Sequence, residues 1–186
     1  MDQIDVFHRA IDQTGRIVSG VQQGQLGDPT PCADWDVNAL LNHTISVVMM
    51  FDGAASGAEF DGAHFANDNV GDDAGASYKT AADKLHATLV APGVIDATWN
   101  MPFGAVPGPA AVGFATLEVA QHGWDVAKAT GQQADFDPQV TETALTAAQA
   151  APAELVRNPS VFGDESDCPE SAPLADRLAA FLGRKV

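Results

Sequence analysis

The run Leu117-Glu118-Val119-Ala120-Gln121-His122-Gly123-Trp124-Asp125 places a carboxylate and an imidazole four residues apart inside an apolar stretch. No proline occurs between Ala110 and Asp137, so one helix can run through it, starting near Pro109 and stopping at Gly131. On a helix, Glu118 and His122 share a face. Phe114 and Ala129 extend the same stripe, which predicts that this face points inward. Charged groups on an inward face are costly unless they are partnered. The helix therefore belongs to the interior of a helical packing, and its Glu and His call for a ligand or a partner.

The prolines mark out the rest. Asp2 to about Val21 carries Ile4, Phe7, Ile11, Val18 and Val21 at helical spacing, which predicts a first amphipathic helix. After a Gly- and Pro-containing loop, Asp34 or Asp36 is placed to cap a second helix reaching about Ala55. Its stripe, Leu40, His43, Val47, Met50 and Ala54, is apolar apart from the histidine. A loop over 57–72 precedes a third helix, about Asp73 to Val90, stopped by Pro92-Gly93. The fourth is the helix of the opening run, and two shorter ones follow at about 138–150 and 173–182. With 33 alanines and little strand pattern, the prediction is all-α. We expect one domain, 1–186, built as a four-helix bundle with long loops and short C-terminal helices.

Composition narrows the function. The net charge is −16, from 25 acidic and 9 basic side chains, which argues against a nucleic-acid footprint or an anionic membrane surface. The longest uncharged stretch, Ala97 to Leu117, is broken by Pro102, Pro107 and Pro109, so no membrane helix is expected there. The start Met-Asp-Gln-Ile-Asp is acidic, unlike a signal peptide. Cys32 and Cys168 make no disulfide framework. The expected setting is cytoplasmic, with free thiols. Cys32 reads as a packing thiol, with a helix-start thiolate as the alternative.

A glutamate four residues before a histidine is common in so acidic a chain; its apolar surroundings single this one out. His43 is the other inward histidine, and it has no acidic neighbour on its own helix. Together His43, Glu118 and His122 form a competent three-ligand set for zinc, nickel or iron, with positions left for water or substrate. Asp125, Gln121 or Asn42 could orient a histidine. His8, beside Asp5 and Asp12, reads as a surface residue. His64 lies in the acidic loop, and His86 pairs with Asp83. Trp35 and Trp124 read as packing residues. The connection 94–108, with no charge from Ala97 onward and with Trp99, Met101 and Phe103, is expected to wall the mouth of the metal site.

Two blocks carry a family resemblance. Pro29-Thr30-Pro31-Cys32-Ala33-Asp34-Trp35-Asp36-Val37, followed by Leu40-Leu41-Asn42-His43, resembles the first motif of the mycothiol-dependent maleylpyruvate isomerase-like family, within the DinB and YfiT-like metal-binding bundles. Glu118-Val119-Ala120-Gln121-His122-Gly123-Trp124-Asp125-Val126-Ala127 resembles its second. The tail, with Phe162-Gly163, Asp176-Arg177-Leu178 and Phe181-Leu182-Gly183-Arg184, resembles an actinobacterial metal-binding subgroup. The resemblance implies metal ligands at His43, Glu118 and His122, zinc or nickel as the metal, and mycothiol or a similar small thiol as cofactor. It implies a thiol-dependent transferase or isomerase acting on a small substrate, without the separate C-terminal domain of the full isomerase. A metal-dependent hydrolase and a non-catalytic metal-binding module are the alternatives. Catalytic residues are not assigned, and pairing into a homodimer is expected.

Overall fold

The structure is a computed structural model that describes residues 2–157 and 162–186. Helix α1 spans Gln3–Ser19, α2 Val37–Ala55, α3 Ala63–Ala66 and α4 Ala74–Leu89. Strands β1, Thr98–Met101, and β2, Gly104–Pro107, form an antiparallel hairpin. Helices α5, Gly108–Thr130, α6, Pro138–Ala150, α7, Ala153–Val156, and α8, Leu174–Phe181, complete the chain. The expected all-α bundle is present. Helices α1, α4, α2 and α5 pack around a shared core, each touching the next and α5 closing on α1.

The caps follow from the residues. Asp2, Asp36 and Asp73 each accept a backbone N–H in the first turn of α1, α2 and α4. Of the two candidates for α2, Asp36 is the cap, accepting from Ala39 N at 2.8 Å. Helix α5 ends at Gly131, whose φ of 70° is the left-handed conformation that terminates helices.

Helix α5 is the centre of the molecule. It packs on α1, α2, α6 and α8, so every residue from Ala115 to Ala127 is buried. That is why its polar residues lie inside whichever way they face. Its closest neighbour is α1, where a Cβ on Gly123 would lie 2.4 Å from Thr14 Oγ1. The absent side chain lets Thr14 Oγ1 donate to the Val119 carbonyl at 2.9 Å.

The hairpin 98–107 is not a four-helix-bundle feature, and sequence pattern missed it. Its strands have four residues each, joined through Pro102-Phe103, too short to show alternation. Trp99 anchors it, fully buried, with Nε1 donating to the Val94 carbonyl at 3.0 Å.

Candidate metal centre

The loop before α2 is a closed turn. Val37 N donates to Asp28 O, and the Thr30 hydroxyl lies 2.8 Å from the Trp35 carbonyl and accepts from Cys32 N at 3.1 Å. The turn sets Trp35 over the start of α2, 4.6 Å from the His43 ring, centroid to centroid. On α2 itself, Asn42 Oδ1 accepts from Asn69 N, and Asn69 Nδ2 donates to Ser46 Oγ and to the His64 carbonyl. These bonds pin α3, so that Phe65 lies 5.5 Å from His43 on another side. Asn42 therefore fixes the loop rather than orienting a histidine.

Helix α5 brings Glu118 and His122 to the same place. The His43 and His122 rings meet edge to face at 4.7 Å. One ligand atom from each of His43, Glu118 and His122 lies within 4.8 Å of the other two. Glu118 Oε2 is 3.4 Å from His122 Nε2, while Glu118 Oε1 is buried with no hydrogen-bond partner. An orphaned carboxylate oxygen costs about 1–3 kcal/mol or more. It is the observation that best fits a cation among these three groups, because a cation would satisfy it.

The other edge of His122 is wired to the tail. Its Nδ1 lies 3.3 Å from Asp125 Oδ2. Asp125 is fully buried and accepts from Arg184 Nε at 2.9 Å and Nη2 at 3.1 Å, and from Gln121 Nε2 at 3.2 Å. The Cys32 thiol donates to Asp125 Oδ2 at 3.4 Å and accepts from Arg184 Nη2 at 3.3 Å. Cys32, His122 and Asp125 thus form a second set of converging groups, but Arg184 already supplies the cation there. Arg184 reaches them because Gly183 turns with a φ of 86°; a Cβ there would lie 2.7 Å from Gly163 Cα.

The electrostatics follow from burial. Desolvation first, and His122 second, push His43 down from 6.5 to about 3, so it is a neutral imidazole with a free lone pair. At His122 burial works the same way, but hydrogen bonds to Asp125, Cys32 and Glu118 outweigh it and hold it well above its ordinary value. Burial would raise Asp125; His122 and Arg184 pull it below the usual carboxylate value instead. Two buried carboxylates call for two positive charges. Arg184 is one, and the second falls at His122, where a divalent cation could replace a proton.

Sequence reasoning named His43, Glu118, His122 and Asp125, and the structure brings all four together. It missed three contributors. Trp35 faces His43 rather than only packing. Cys32 is half-buried in a polar network rather than an apolar pocket. Arg184 comes from a tail whose approach no spacing reveals. Trp124 packs as expected, with Nε1 on Asp176 at 2.8 Å. The connection 94–108 does not wall these groups. Its Asn100 bonds the Ala58 carbonyl, beyond the far end of α2 and about 20 Å along the helix from His43. The aromatic wall is Trp35, Phe65 and Phe162, the last 6.2 Å from His122. Phe103 and Phe114 instead line a separate cavity of about 690 Å³ between α5, α6 and the hairpin.

A family model described as the mycothiol maleylpyruvate isomerase N-terminal domain matches residues 7–127, a span that holds both motifs and all three candidate ligands. The chain belongs to this family. Two further relatives are uncharacterised proteins of Mycobacterium tuberculosis, from strains CDC 1551 / Oshkosh and H37Rv. Each is 37% identical to this chain over 187 residues, covering 100% of both partners. Among solved structures, the crystal structure of the mycothiol-dependent maleylpyruvate isomerase aligns with a TM-score of 0.60 at 14% identity, covering 83% of this chain and 68% of that one. A histidine-to-alanine mutant of the same enzyme aligns with a TM-score of 0.57 at 15% identity, over 88% and 72%. At that identity the likeness supports the shared maleylpyruvate isomerase fold. Among the described residues, no helix of this family member is long and apolar enough to cross a membrane.

Proposed function

We propose that the protein binds one divalent metal ion through His43, Glu118 and His122 and uses it, with a low-molecular-weight thiol of the mycothiol type, to transfer or isomerise a small substrate. The observation that carries this reading is Glu118 Oε1, buried and unpartnered on a carboxylate that converges with two imidazoles. Membership of a family described by mycothiol and maleylpyruvate isomerase supports the thiol. A divalent ion here supplies a Lewis-acid centre that favours the thiolate form of a bound thiol. Everything else is done by the chain. His43 offers a lone pair that burial keeps free of protons. Glu118 contributes a negative charge and a second anchor. Asp125 holds the His122 ring in place through Nδ1, and Arg184 balances the Asp125 charge, the arrangement by which an outer carboxylate fixes a ligating histidine. Trp35, Phe65 and Phe162 exclude water and lower the local dielectric, which strengthens attraction between a cation and an anionic sulfur.

Cobalt-substituted protein tests the reading. Added mycothiol should produce a sulfur-to-metal charge-transfer band in the near ultraviolet, absent from a His43→Ala protein that no longer retains cobalt. A cobalt spectrum unchanged by the thiol would remove the thiol-dependent reading. Hydrolysis without thiol would then be the activity to assay.

A further inference from the structure

A second pair of histidines meets far from the first in sequence. His8 lies on α1 and His86 on α4, and Nδ1 of one contacts Nδ1 of the other. The ring centroids are 4.4 Å apart and the planes 23° from parallel. With the two Nδ1 atoms in contact, the rings meet edge to edge rather than face to face. His86 Nε2 lies 3.1 Å from Asp12 Oδ1, on α1. A carboxylate accepts only, so this bond fixes the proton of His86 on Nε2. Its Nδ1 then carries a lone pair aimed at His8. Asp5 stands one turn before His8 on the same helix and acts on it electrostatically, as does Asp12.

We propose that His8 and His86 form a second metal site, a clamp across the α1–α4 seam for a borderline divalent cation such as zinc, nickel or copper. Imidazole nitrogen suits these ions over magnesium or calcium. Binding requires the two rings to part, because nitrogens held by one ion at about 2 Å each lie about 3 Å or more from each other, and one proton to move: His8 transfers its hydrogen from Nδ1 to Nε2, so that both Nδ1 lone pairs face the ion with no net change in protonation. Asp12 holds the ring of His86 as an outer carboxylate does in established sites, Asp5 supplies a negative charge on the same face, and water completes the shell. Burial first, and His86 second, lower His8 below its ordinary value, which keeps its lone pair available at neutral pH. Both rings are half-buried, so the seam is open to solvent and the ion exchanges readily. The site is independent of His43, Glu118 and His122.

Zinc titration of the full chain, with uptake measured against a chromophoric chelator, tests the clamp. The expected result is two equivalents per chain in the wild type and one in each of His8→Asn and His86→Asn. His43→Ala should keep the seam equivalent. Uptake of one equivalent that survives in both seam variants and vanishes in His43→Ala overturns the proposal. So does uptake of two equivalents in every seam variant. Should one seam variant fail to fold, copper(II) resonance on the His43→Ala protein decides: nitrogen couplings are expected, and only the spectrum of free copper overturns the clamp.

Discussion

The protein carries two pairs of histidines in contact, and they differ in their surroundings. His43 and His122 lie in the core, ringed by three aromatic side chains and tied to Asp125 and Arg184. His8 and His86 lie at a seam between two helices, with one carboxylate, Asp12, bonded at their edge. Burial turns the same side chain into different chemistry. In the core, each partner must be matched by another, so the network extends from α2 through α5 to the tail. At the seam, water supplies whatever the protein does not.

The sharpest way to break this contrast is to leave a core charge unmatched. Arg184→Ala strands Asp125, which is fully buried, and should cost about 3–5 kcal/mol in urea unfolding. A loss under about 1 kcal/mol would show that water reaches Asp125 as it reaches the seam. Next in size, His122→Ala removes one of the three proposed ligands and should lower zinc affinity by at least about 100-fold, beyond the effect of changing an outer partner. Metal content after dialysis checks it; equal content in variant and wild type would remove this site. Asp125→Asn keeps the shape but weakens the hold on His122, and should cost about 10–100-fold in zinc affinity by competition titration. Outright loss of folding would instead make Asp125 chiefly structural.

The smallest effect lies at the seam. His8 sits below its unfolded value, so the unfolded chain binds more protons as pH falls below about 6.5. Metal-free protein should lose stability from this group as pH falls below about 6.5, and His8→Asn should flatten that part of the curve. His43, pushed down to about 3, works in the same direction, whereas His122, raised, contributes stability that is lost as pH rises above about 6.5. Identical curves for wild type and His8→Asn would mean that His8 titrates as it does in the unfolded chain.

The helices and the inward-facing His43, Glu118 and His122 were legible because their signals are local. Proline-free runs, aspartate caps and a three-and-four spacing all act within a few residues, and Pro138–Ala150 falls where the pattern predicts it. His43 and Glu118 were legible as odd residues on apolar stripes. Arg184 was not, because its role depends on a reversal at Gly183 and on a partner 59 residues away. His8 read as a surface residue and His86 as the partner of Asp83; Asp83 instead pairs with Lys79 and His86 with Asp12, and only the packing of α1 on α4 makes the two histidines neighbours. The hairpin escaped because four-residue strands carry almost no periodic signal, and with it went the expected wall of the site.

Trp35 has an optical consequence. Trp99 and Trp124 are buried with their indole N–H groups committed to Val94 and Asp176, whereas Trp35 lies against His43 and near His122. Of the three indoles, Trp35 is the one stacked beside the core histidines. A paramagnetic ion such as cobalt or nickel held there would quench its emission, while zinc, with a filled d shell, would leave it bright. The sequence thus has a built-in lamp over one of its two histidine pairs and none over the other.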